Sequence, residues 1–335
     1  MPLTVRFHRL GGPEVLQLDD LPTAEPGPGE LRLRVTAIGL NRAEVAFRQG
    51  RYIDRPRSFP CGLGYEAAGV VSAIGPAVAG FAPGHRVSVV PAFSQNDYGT
   101  YGEEVVVPAA AVVRRAAGVG AITSAAAWMQ YLTPYGALVD SGGGLRAGDS
   151  VVVTAANSSV GLATIQLARL VGALPIAVVR SGEQTGAVLA AGAARVVVGG
   201  GDELVEAVLA ETDGRGADFV FDAVAGPGVR DLYRATATGG SLVVHGTLSG
   251  EPTPFPGTDD MRAVSLRAYT LFEVTRSPER LRRAERFIGA GLASGALRPV
   301  VDRTFDLTEI VAAHEYLESG ARAGKVVVTV GGRAS

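Results

Sequence analysis

The sequence is poor in cysteine, in lysine and in net charge, and each shortage excludes a class of protein. Cys61 is the only cysteine among 335 residues, so neither an intrachain disulfide nor a cysteine-rich zinc site can form. Arginine carries almost all the positive charge, and the formal net charge is −2. Nucleic acids and anionic membranes select strongly basic surfaces. We therefore expect no nucleic-acid partner and no membrane partner.

Long apolar runs are also missing. No stretch reaches the roughly 18 consecutive apolar residues of a membrane-spanning helix. The N-terminal residues MPLTVRFHRLGG carry charges where a signal peptide needs an apolar core, so a cytoplasmic location is the default expectation. A content of 47% hydrophobic and 19% charged residues is typical of a well-packed α/β protein, and 335 residues suit two domains.

The order of strand-like and helix-like segments predicts two kinds of domain. Residues 1–120 contain short strand-like runs separated by turn signals, which predicts an antiparallel, partly closed β-barrel. After residue 124, apolar strands alternate with helices, which predicts a doubly wound parallel sheet. An amphipathic helix and two late strands indicate that the tail returns to the first domain. We predict a catalytic domain of residues 1–124 and 266–335, and a Rossmann domain of residues 125–265.

A small-residue turn follows the first predicted parallel strand, 151–154. It reads Ala156-x-Ser158-x-x-Gly161, where a dinucleotide-binding fingerprint has three glycines. The first N–H groups of a helix have no intrahelical partner and favour an anion. The turn therefore predicts a pyrophosphate site, although any helix packed on a parallel strand would read similarly. Its expected cofactor contacts are Asn157, Ser158, Ser159, Val160 and Gly161.

The next predicted strand, 176–179, ends in Arg180-Ser181. In this type of domain an acidic residue at that place binds the ribose 2′-hydroxyl of NAD, whereas an arginine accommodates the 2′-phosphate of NADP. We therefore expect NADPH as the cofactor, with Arg180 and Ser181 at its 2′-phosphate. The alternative for Arg180 is a solvated charge at a strand end.

Several further blocks stand in an order and spacing that one family shares. They are IGLNRAEVAFRQGRY at 38–52, GYEAAGVVSAIG at 64–75, YGTYGEEVVVP at 98–108, AAAWMQYLTPYGAL at 125–138 and AGKVVVTV at 323–330. With them the whole chain resembles the medium-chain dehydrogenase/reductase superfamily, and within it the zinc-independent NADPH:quinone oxidoreductases. The resemblance implies a GroES-like catalytic domain, a Rossmann domain and an active-site cleft between them. It also implies a homodimer joined through an edge strand of the cofactor domain.

The resemblance is closer to the metal-free branch than to the zinc enzymes. Zinc alcohol dehydrogenases of this superfamily carry a Cys and a His ligand where this chain has Asn41 and Tyr65. A catalytic zinc needs about three protein ligands, so we expect no metal. Alcohol oxidation without a Lewis acid lacks its usual driver. A conjugated acceptor spreads incoming negative charge, so the missing ligands favour a quinone or an enone or enoyl substrate.

The same resemblance implies the remaining site residues. Asn41 is expected to donate to a substrate oxygen, Tyr52 to donate a hydrogen bond or a proton, and Thr133 to lie beside the nicotinamide. Pro134 is expected to force an extended residue and break the helix there. The alternatives are a turn-forming Asn41, a packing Tyr52 and an ordinary helix-ending Thr133. Further cofactor contacts are expected from Ala223, His245, Gly246, Thr247 and Lys325.

Together these features predict an NADPH-dependent oxidoreductase that transfers hydride to a quinone or an activated C=C bond without zinc. Two alternatives stay open: a zinc-free alcohol dehydrogenase or ketoreductase, and a non-enzymatic NADPH-binding protein. The residues do not distinguish quinone from enoyl reduction. They also leave open whether Tyr52 or solvent supplies the proton.

Overall fold

The structure is a computed structural model that describes residues 1–142, 144–320 and 323–331. The chain divides into two compact units. The first comprises residues 1–129, 275–295 and 299 onward, and the second comprises residues 130–274 and 296–298. Residues 321, 322 and 332–335 of the predicted catalytic domain lie outside the described part of the chain.

The strands follow one another along the chain as β1 (Leu3–Phe7), β2 (Leu16–Asp20), β3 (Glu30–Gly39), β4 (Cys61–Gly62), β5 (Glu66–Ile74), β6 (Arg86–Val89), β7 (Glu104–Pro108), β8 (Val112–Arg114), β9 (Ser150–Val153), β10 (Leu174–Val179), β11 (Arg195–Val198), β12 (Ala217–Asp222), β13 (Thr236–Val244), β14 (Ser265–Ala268), β15 (Val301–Asp306) and β16 (Lys325–Thr329). The α-helices are α1 (Arg42–Arg48), α2 (Ala121–Pro134), α3 (Ser159–Leu170), α4 (Thr185–Ala190), α5 (Asp202–Glu211), α6 (Val229–Ala235), α7 (Phe272–Thr275), α8 (Pro278–Ser294) and α9 (Ile310–Ser319).

The first unit is built on β3. Its residues alternate, and Leu31, Leu33 and Val35 turn inward to a core that also takes in Val326 and Val328 of β16. β3 pairs antiparallel with β5, with β7 and with β16, while β15 joins β16 in parallel. The late strands thus return to the first unit, as the sequence predicts. The antiparallel prediction for residues 1–120 is confirmed.

The second unit holds a six-stranded sheet in the order β11-β10-β9-β12-β13-β14, and all of its pairs are parallel. Counted along the chain, this is the 3-2-1-4-5-6 order of dinucleotide-binding sheets. The strand order reverses between β9 and β12, and ligands bind such sheets at the carboxyl ends of the strands that flank this switch. Because β14 extends the sheet to Ala268, this unit reaches beyond residue 265, where we expect the Rossmann domain to end.

One local expectation is wrong. Pro134 does not break α2 or force an extended residue before it. Pro134 is itself helical, at φ −71° and ψ −31°, and a wider π-helical turn, Tyr135–Val139, follows it. The helical backbone therefore runs on past Pro134 into the π turn, although proline removes one helical hydrogen bond to the preceding turn.

Candidate functional site

The turn between β9 and α3 brings the chain very close to the helix that follows. A Cβ on Gly161 would lie 2.5 Å from the Ala156 carbonyl oxygen and 2.6 Å from that of Ala155, so only glycine fits. Ala155 takes a left-handed φ of 45°. The Ala156 N–H donates to the Val178 carbonyl at 3.1 Å, which fixes the turn to β10. This glycine therefore has the helix-packing role of the third fingerprint glycine.

Ser158 caps α3 from the position where the fingerprint has a glycine. Its hydroxyl oxygen accepts from the Gly161 N–H at 3.1 Å. Ser159 and Val160 come before Leu162, whose N–H makes the first intrahelical bond, to the Ser158 carbonyl, so their own N–H groups are the ones offered to an anion. Asn157 lies partly buried just before the cap. The Ser158 cap therefore occupies the Gly161 N–H, which is one of the first N–H groups of α3.

Arg180 and Ser181 follow directly after β10, the strand beside β9. Arg180 is exposed and Ser181 is partly buried. A cation at this edge of the sheet is at the carboxyl end of the strands, on the side of β9 where the predicted ribose would lie. The structure therefore places both residues at the same sheet edge as the turn.

A buried carboxylate joins the ends of β9 and β12. Asp222 accepts from the Thr154 hydroxyl at 2.6 Å and from the N–H groups of Val224 and Ala225 at 3.0 and 2.8 Å. Its hydrogen bonds tie the end of β12 to the residue that follows β9. Asp222 therefore shapes the switch point, although sequence reasoning identifies only its place at the strand end. The pattern Asp-x-x after a buried strand, typical of a local side-chain to backbone turn, is the signal that could find it.

The predicted contacts Ala223, His245, Gly246 and Thr247 lie together beyond these strand ends. A Cβ on Gly246 would stand 2.7 Å from the Ala223 carbonyl oxygen, so the two segments touch through backbone. The His245 ring stacks on Phe221 at 3.9 Å between centroids. Desolvation in this stack lowers the pKa of His245 to about 3, so the imidazole is neutral at physiological pH and is not a proton donor.

In the first unit, the end of β3 and the start of β16 meet in a buried polar cluster. Lys325 is 1% exposed, and its ammonium forms an ion pair with Glu66 and donates to the Asn41 amide oxygen. The other Glu66 oxygen accepts from the Met129 N–H at 2.9 Å. Reaching a cofactor phosphate would require Lys325 to leave this buried pair. The structure therefore places Lys325 in this cluster and not beside the turn at 155–161.

Asn41 is also occupied within the protein. Its Nδ2 donates to the Gly39 carbonyl at 3.3 Å and to Glu44 at 3.2 Å, while its oxygen accepts from Lys325 at 2.5 Å. The residue precedes α1 but makes no side-chain cap to it, so it is not simply a turn former. A role as donor to a substrate oxygen would need one of these long Nδ2 bonds to open.

Glu44 completes the cluster and is the residue that sequence reasoning leaves without a role. One carboxyl oxygen accepts from Asn41 and from the Tyr65 N–H, and the other is buried without a hydrogen-bond partner among the described residues. Burial raises the pKa of Glu44 to about 7, partly offset by Lys325. With Glu66 already paired to Lys325, a protonated Glu44 makes the cluster neutral. In the sequence, the only sign that Glu44 belongs to this cluster is its position three residues after Asn41.

Tyr52 stands partly buried beside Tyr65, with the two rings 6.1 Å apart. Burial raises the pKa of Tyr52, and a hydrogen bond from Tyr65 lowers it by a smaller amount. Thr133, by contrast, lies buried in the last turn of α2 within the second unit.

Across the described residues, no group of three or more His, Cys, Asp and Glu side chains is placed to hold a metal ion. The described helices include none that is long and apolar enough to cross a bilayer.

Known proteins resemble the whole chain. The family descriptions "Alcohol dehydrogenase GroES-like domain" and "Zinc-binding dehydrogenase" match residues 27–122 and 191–328. A quinone oxidoreductase of Pseudomonas aeruginosa is 30% identical over 98% of this chain and 99% of its own. The solved Escherichia coli quinone oxidoreductase in complex with NADPH is 27% identical, with a TM-score of 0.89 over 98% of this chain and 99% of that one. A solved NAD-dependent alcohol dehydrogenase is 34% identical, with a TM-score of 0.86 over 98% of this chain and 100% of that one.

These matches extend over both units and agree with the strand order of each. They confirm the predicted fold class, a GroES-like β domain joined to a Rossmann-type parallel-sheet domain. The chain belongs to the medium-chain dehydrogenase/reductase superfamily, in its quinone oxidoreductase-like branch.

Proposed function

We propose that the protein is an NADPH-dependent oxidoreductase whose acceptor is a quinone or an activated C=C bond, an enone or enoyl compound. The observation that carries the proposal is the turn at 155–161, where Gly161 alone allows the close approach and the N–H groups of Ser159 and Val160 open α3. The relative solved with NADPH supports this choice of cofactor.

The residues at the sheet edge fit a phosphorylated dinucleotide. The start of α3 offers N–H donors to a pyrophosphate, and Arg180 offers a cation to a 2′-phosphate. Ala223, Gly246 and Thr247 present backbone and small side chains where the nicotinamide end would bind, together with the neutral His245. The hydroxyl of Thr133 is assigned to the same end. When bound, NADPH supplies the hydride.

The first unit supplies the acceptor's side of the reaction. A quinone that gains a hydride must also gain a proton at oxygen, and a reduced enone must gain one at carbon. Tyr52 stays protonated because burial raises its pKa, so it donates a hydrogen bond or a proton but does not act as a base. Asn41 lies in the polar cluster with Glu44 and Lys325, and its amide would donate to the substrate oxygen when one of its long Nδ2 bonds opens. Solvent is the other proton source, and a Tyr52→Phe variant separates the two.

Neither residue at the zinc-ligand positions is a good zinc ligand. Asn41 offers an amide and Tyr65 a phenol, and burial raises the Tyr65 pKa, which disfavours a phenolate. We therefore propose that the reaction proceeds without zinc, although one matching family carries the description "Zinc-binding dehydrogenase".

The first test is NADPH oxidation with a panel of quinones, enones and enoyl thioesters, run beside NADH. We expect turnover of at least one class with NADPH. Tight NADPH binding without turnover of any acceptor would favour the non-enzymatic alternative.

The sharper test of the cofactor is Arg180→Ala. Because the arginine would lose its charge at the 2′-phosphate, we expect kcat/KM for NADPH to fall about tenfold or more while that for NADH is unchanged. The matched control is Arg195→Ala, an exposed arginine at the opposite, amino end of the neighbouring β11. An unchanged ratio of the two efficiencies would refute the role of Arg180.

A second function has one observation in its favour. The NAD-dependent alcohol dehydrogenase that matches this chain at 34% identity supports activity as an alcohol dehydrogenase or ketoreductase. That function predicts reduction of NAD⁺ or NADP⁺ by simple alcohols. Metal analysis of the active enzyme then distinguishes a zinc-free reaction from a zinc-dependent one.

We also propose a homodimer formed through an edge strand of the parallel sheet. β14 is an edge of that sheet, and Ser265, Arg267 and Ala268 on it are exposed. An exposed strand edge offers unpaired N–H and C=O groups to a second copy.

A further inference from the structure

The first unit also contains a cavity, which is separate from the buried polar cluster of Lys325. This cavity has a volume of about 310 Å³ and lies among β6, β8, α2 and α8. Its wall is mostly apolar and includes Val112 and Leu292. That volume is at the small end of the range for small-molecule sites, about 300–1,000 Å³.

Two buried hydrogen-bonding groups in the wall have no partner in the described part of the chain. They are the Ser88 hydroxyl and the Trp128 indole N–H, on residues 0% and 4% exposed. An unsatisfied buried donor costs about 1–3 kcal/mol, and buried indole N–H groups usually find an acceptor. Val87 and Val89 on either side of Ser88 turn to the core, so an apolar residue would suit position 88 for packing alone. Both donors are therefore able to form a hydrogen bond to a molecule bound in the cavity.

The charges around the cavity favour an anion. Arg114, Arg115 and Arg286 line it together with one carboxyl group, that of Glu285. Burial lowers the pKa of Arg115, and the nearby charge of Arg86 lowers it further. Burial also raises the pKa of Glu285, which weakens the single negative charge. The lining thus carries more positive than negative charge, and it includes two hydrogen-bond donors.

We propose that this cavity binds a small apolar carboxylate. The carboxylate accepts from the Trp128 indole N–H and the Ser88 hydroxyl, with the arginines balancing its charge. The apolar body lies against Val112 and Leu292. This site uses none of the residues assigned to hydride transfer, so it stands or falls independently of the proposed function.

The chain offers a direct probe, because Trp128 is its only tryptophan. Hexanoate, which does not absorb at the excitation wavelength, is titrated into the full-length protein while tryptophan emission is recorded. We expect a saturable change in emission with hexanoate and none with hexylamine at the same concentrations. Calorimetry provides a second readout of the same binding.

Two substitutions assign the signal to the cavity. Ser88→Ala removes a hydrogen bond to a charged group and should weaken hexanoate binding at least about tenfold. Gly289→Leu should abolish binding, since a Cβ on this helical glycine meets no atom within 4 Å and the side chain enters the cavity. The control is Gly186→Leu, on an exposed helical glycine of the second unit with equal space at its Cβ.

The expected result is saturable binding that Gly289→Leu removes and Gly186→Leu retains. Thermal unfolding of each variant shows that the fold is intact. The proposal is overturned if hexanoate produces no saturable change, if hexylamine gives the same response, or if Gly289→Leu binds as the parent protein does.

Discussion

Lys325 is the single lysine of a chain that places every other basic side-chain charge on arginine or histidine. It is also among the most deeply buried charges, paired with Glu66 and bound to Asn41. An ammonium is a compact point charge with three donors, whereas a guanidinium is a planar fork. The close approach of a carboxylate and an amide to one nitrogen explains why lysine stands at this position.

We therefore expect Lys325 to be difficult to replace, whether by an uncharged residue or by arginine. Lys325→Met leaves Glu66 buried and unpaired, and we expect the free energy of unfolding to fall by about 3–5 kcal/mol. Lys325→Arg should not restore the loss, because the fork does not fit the site. Urea unfolding measures both.

The matched control for Lys325 is Arg215→Met, which removes an exposed ion pair to Asp218 and should cost less than about 1 kcal/mol. The double variant Lys325→Met with Glu66→Gln should recover part of the loss. A stability of Lys325→Met equal to that of the control would contradict the assignment.

Glu44 makes stability depend on pH. Its pKa is about 7 in the folded protein against an ordinary 4.5, so the folded state binds this proton more tightly than the unfolded state. The stabilising contribution is complete below pH 4.5 and is lost as the pH rises through 7. The loss is on the order of 3 kcal/mol, from about 1.4 kcal/mol per pKa unit.

Glu44→Gln should remove this dependence, because the amide resembles the protonated carboxyl and does not titrate. Urea unfolding from pH 5 to 8.5 is the measurement. We expect the two proteins to be similar near pH 5 and the variant to be the more stable one at pH 8. Parallel curves over the whole range would show that Glu44 does not titrate there.

At the scale of elements, the turn between β9 and α3 is defined by close backbone packing more than by glycine content. Only Gly161 remains of the fingerprint glycines, yet it is the one whose Cβ would collide with two carbonyl oxygens. Ser158 keeps its place by capping α3 with its own hydroxyl. A fingerprint can therefore lose the glycines that face the ligand and retain the one that joins helix to strand.

Gly161→Ala tests this element. A methyl group at 2.5 Å from the Ala156 oxygen must displace the turn. We expect KM for NADPH to rise at least about tenfold, with a loss of stability of roughly 1–3 kcal/mol from overpacking. NADPH titration and thermal unfolding measure the two effects.

Gly186→Ala in α4 is the matched control, because its Cβ would meet nothing within 4 Å. It should leave KM unchanged. If the Gly161→Ala protein kept the parent's affinity for NADPH, close packing at Gly161 would not be needed for cofactor binding.

At the scale of the whole molecule, the exposed edge strand β14 carries the prediction of a homodimer. In a two-fold interface the same strand comes from both copies, so residue i meets residue j and j meets i, and lysines placed at both positions repel one another. We expect the parent protein to have twice the mass of one chain in light scattering. Ser265→Lys combined with Ala268→Lys should halve that mass.

The control for the edge strand is Ala290→Lys, at an exposed position of α8. It should leave the mass unchanged. A parent protein with the mass of a single chain at micromolar concentration would remove the dimer from the proposal.

The class of fold, the order of the elements and the family can be predicted from the order of the amino acids alone. Apolar periodicity and turn residues act locally, so strands such as β3 and β10 are legible from residues adjacent in the chain. The blocks around Asn41, Glu66, Gly161 and Lys325 stand in the family's order along the whole chain. Periodicity, turn residues and the order of these blocks are all properties of the linear sequence, so no tertiary structure is needed to recognise them.

The partners of those residues, by contrast, become visible in the folded chain. Lys325 reads as a phosphate ligand beside its glycine, but β16 returns to β3 and places its ammonium on Glu66 and Asn41, from which it is separated by more than 250 residues. The pKa of Glu44 likewise depends on burial and neighbours that no spacing reveals. Pro134 is a further example, because local rules predict a helix break there, whereas in the folded chain Pro134 is helical and a π turn follows it. Charge pairing and desolvation depend on distance in space, and that distance exists only after the chain has folded.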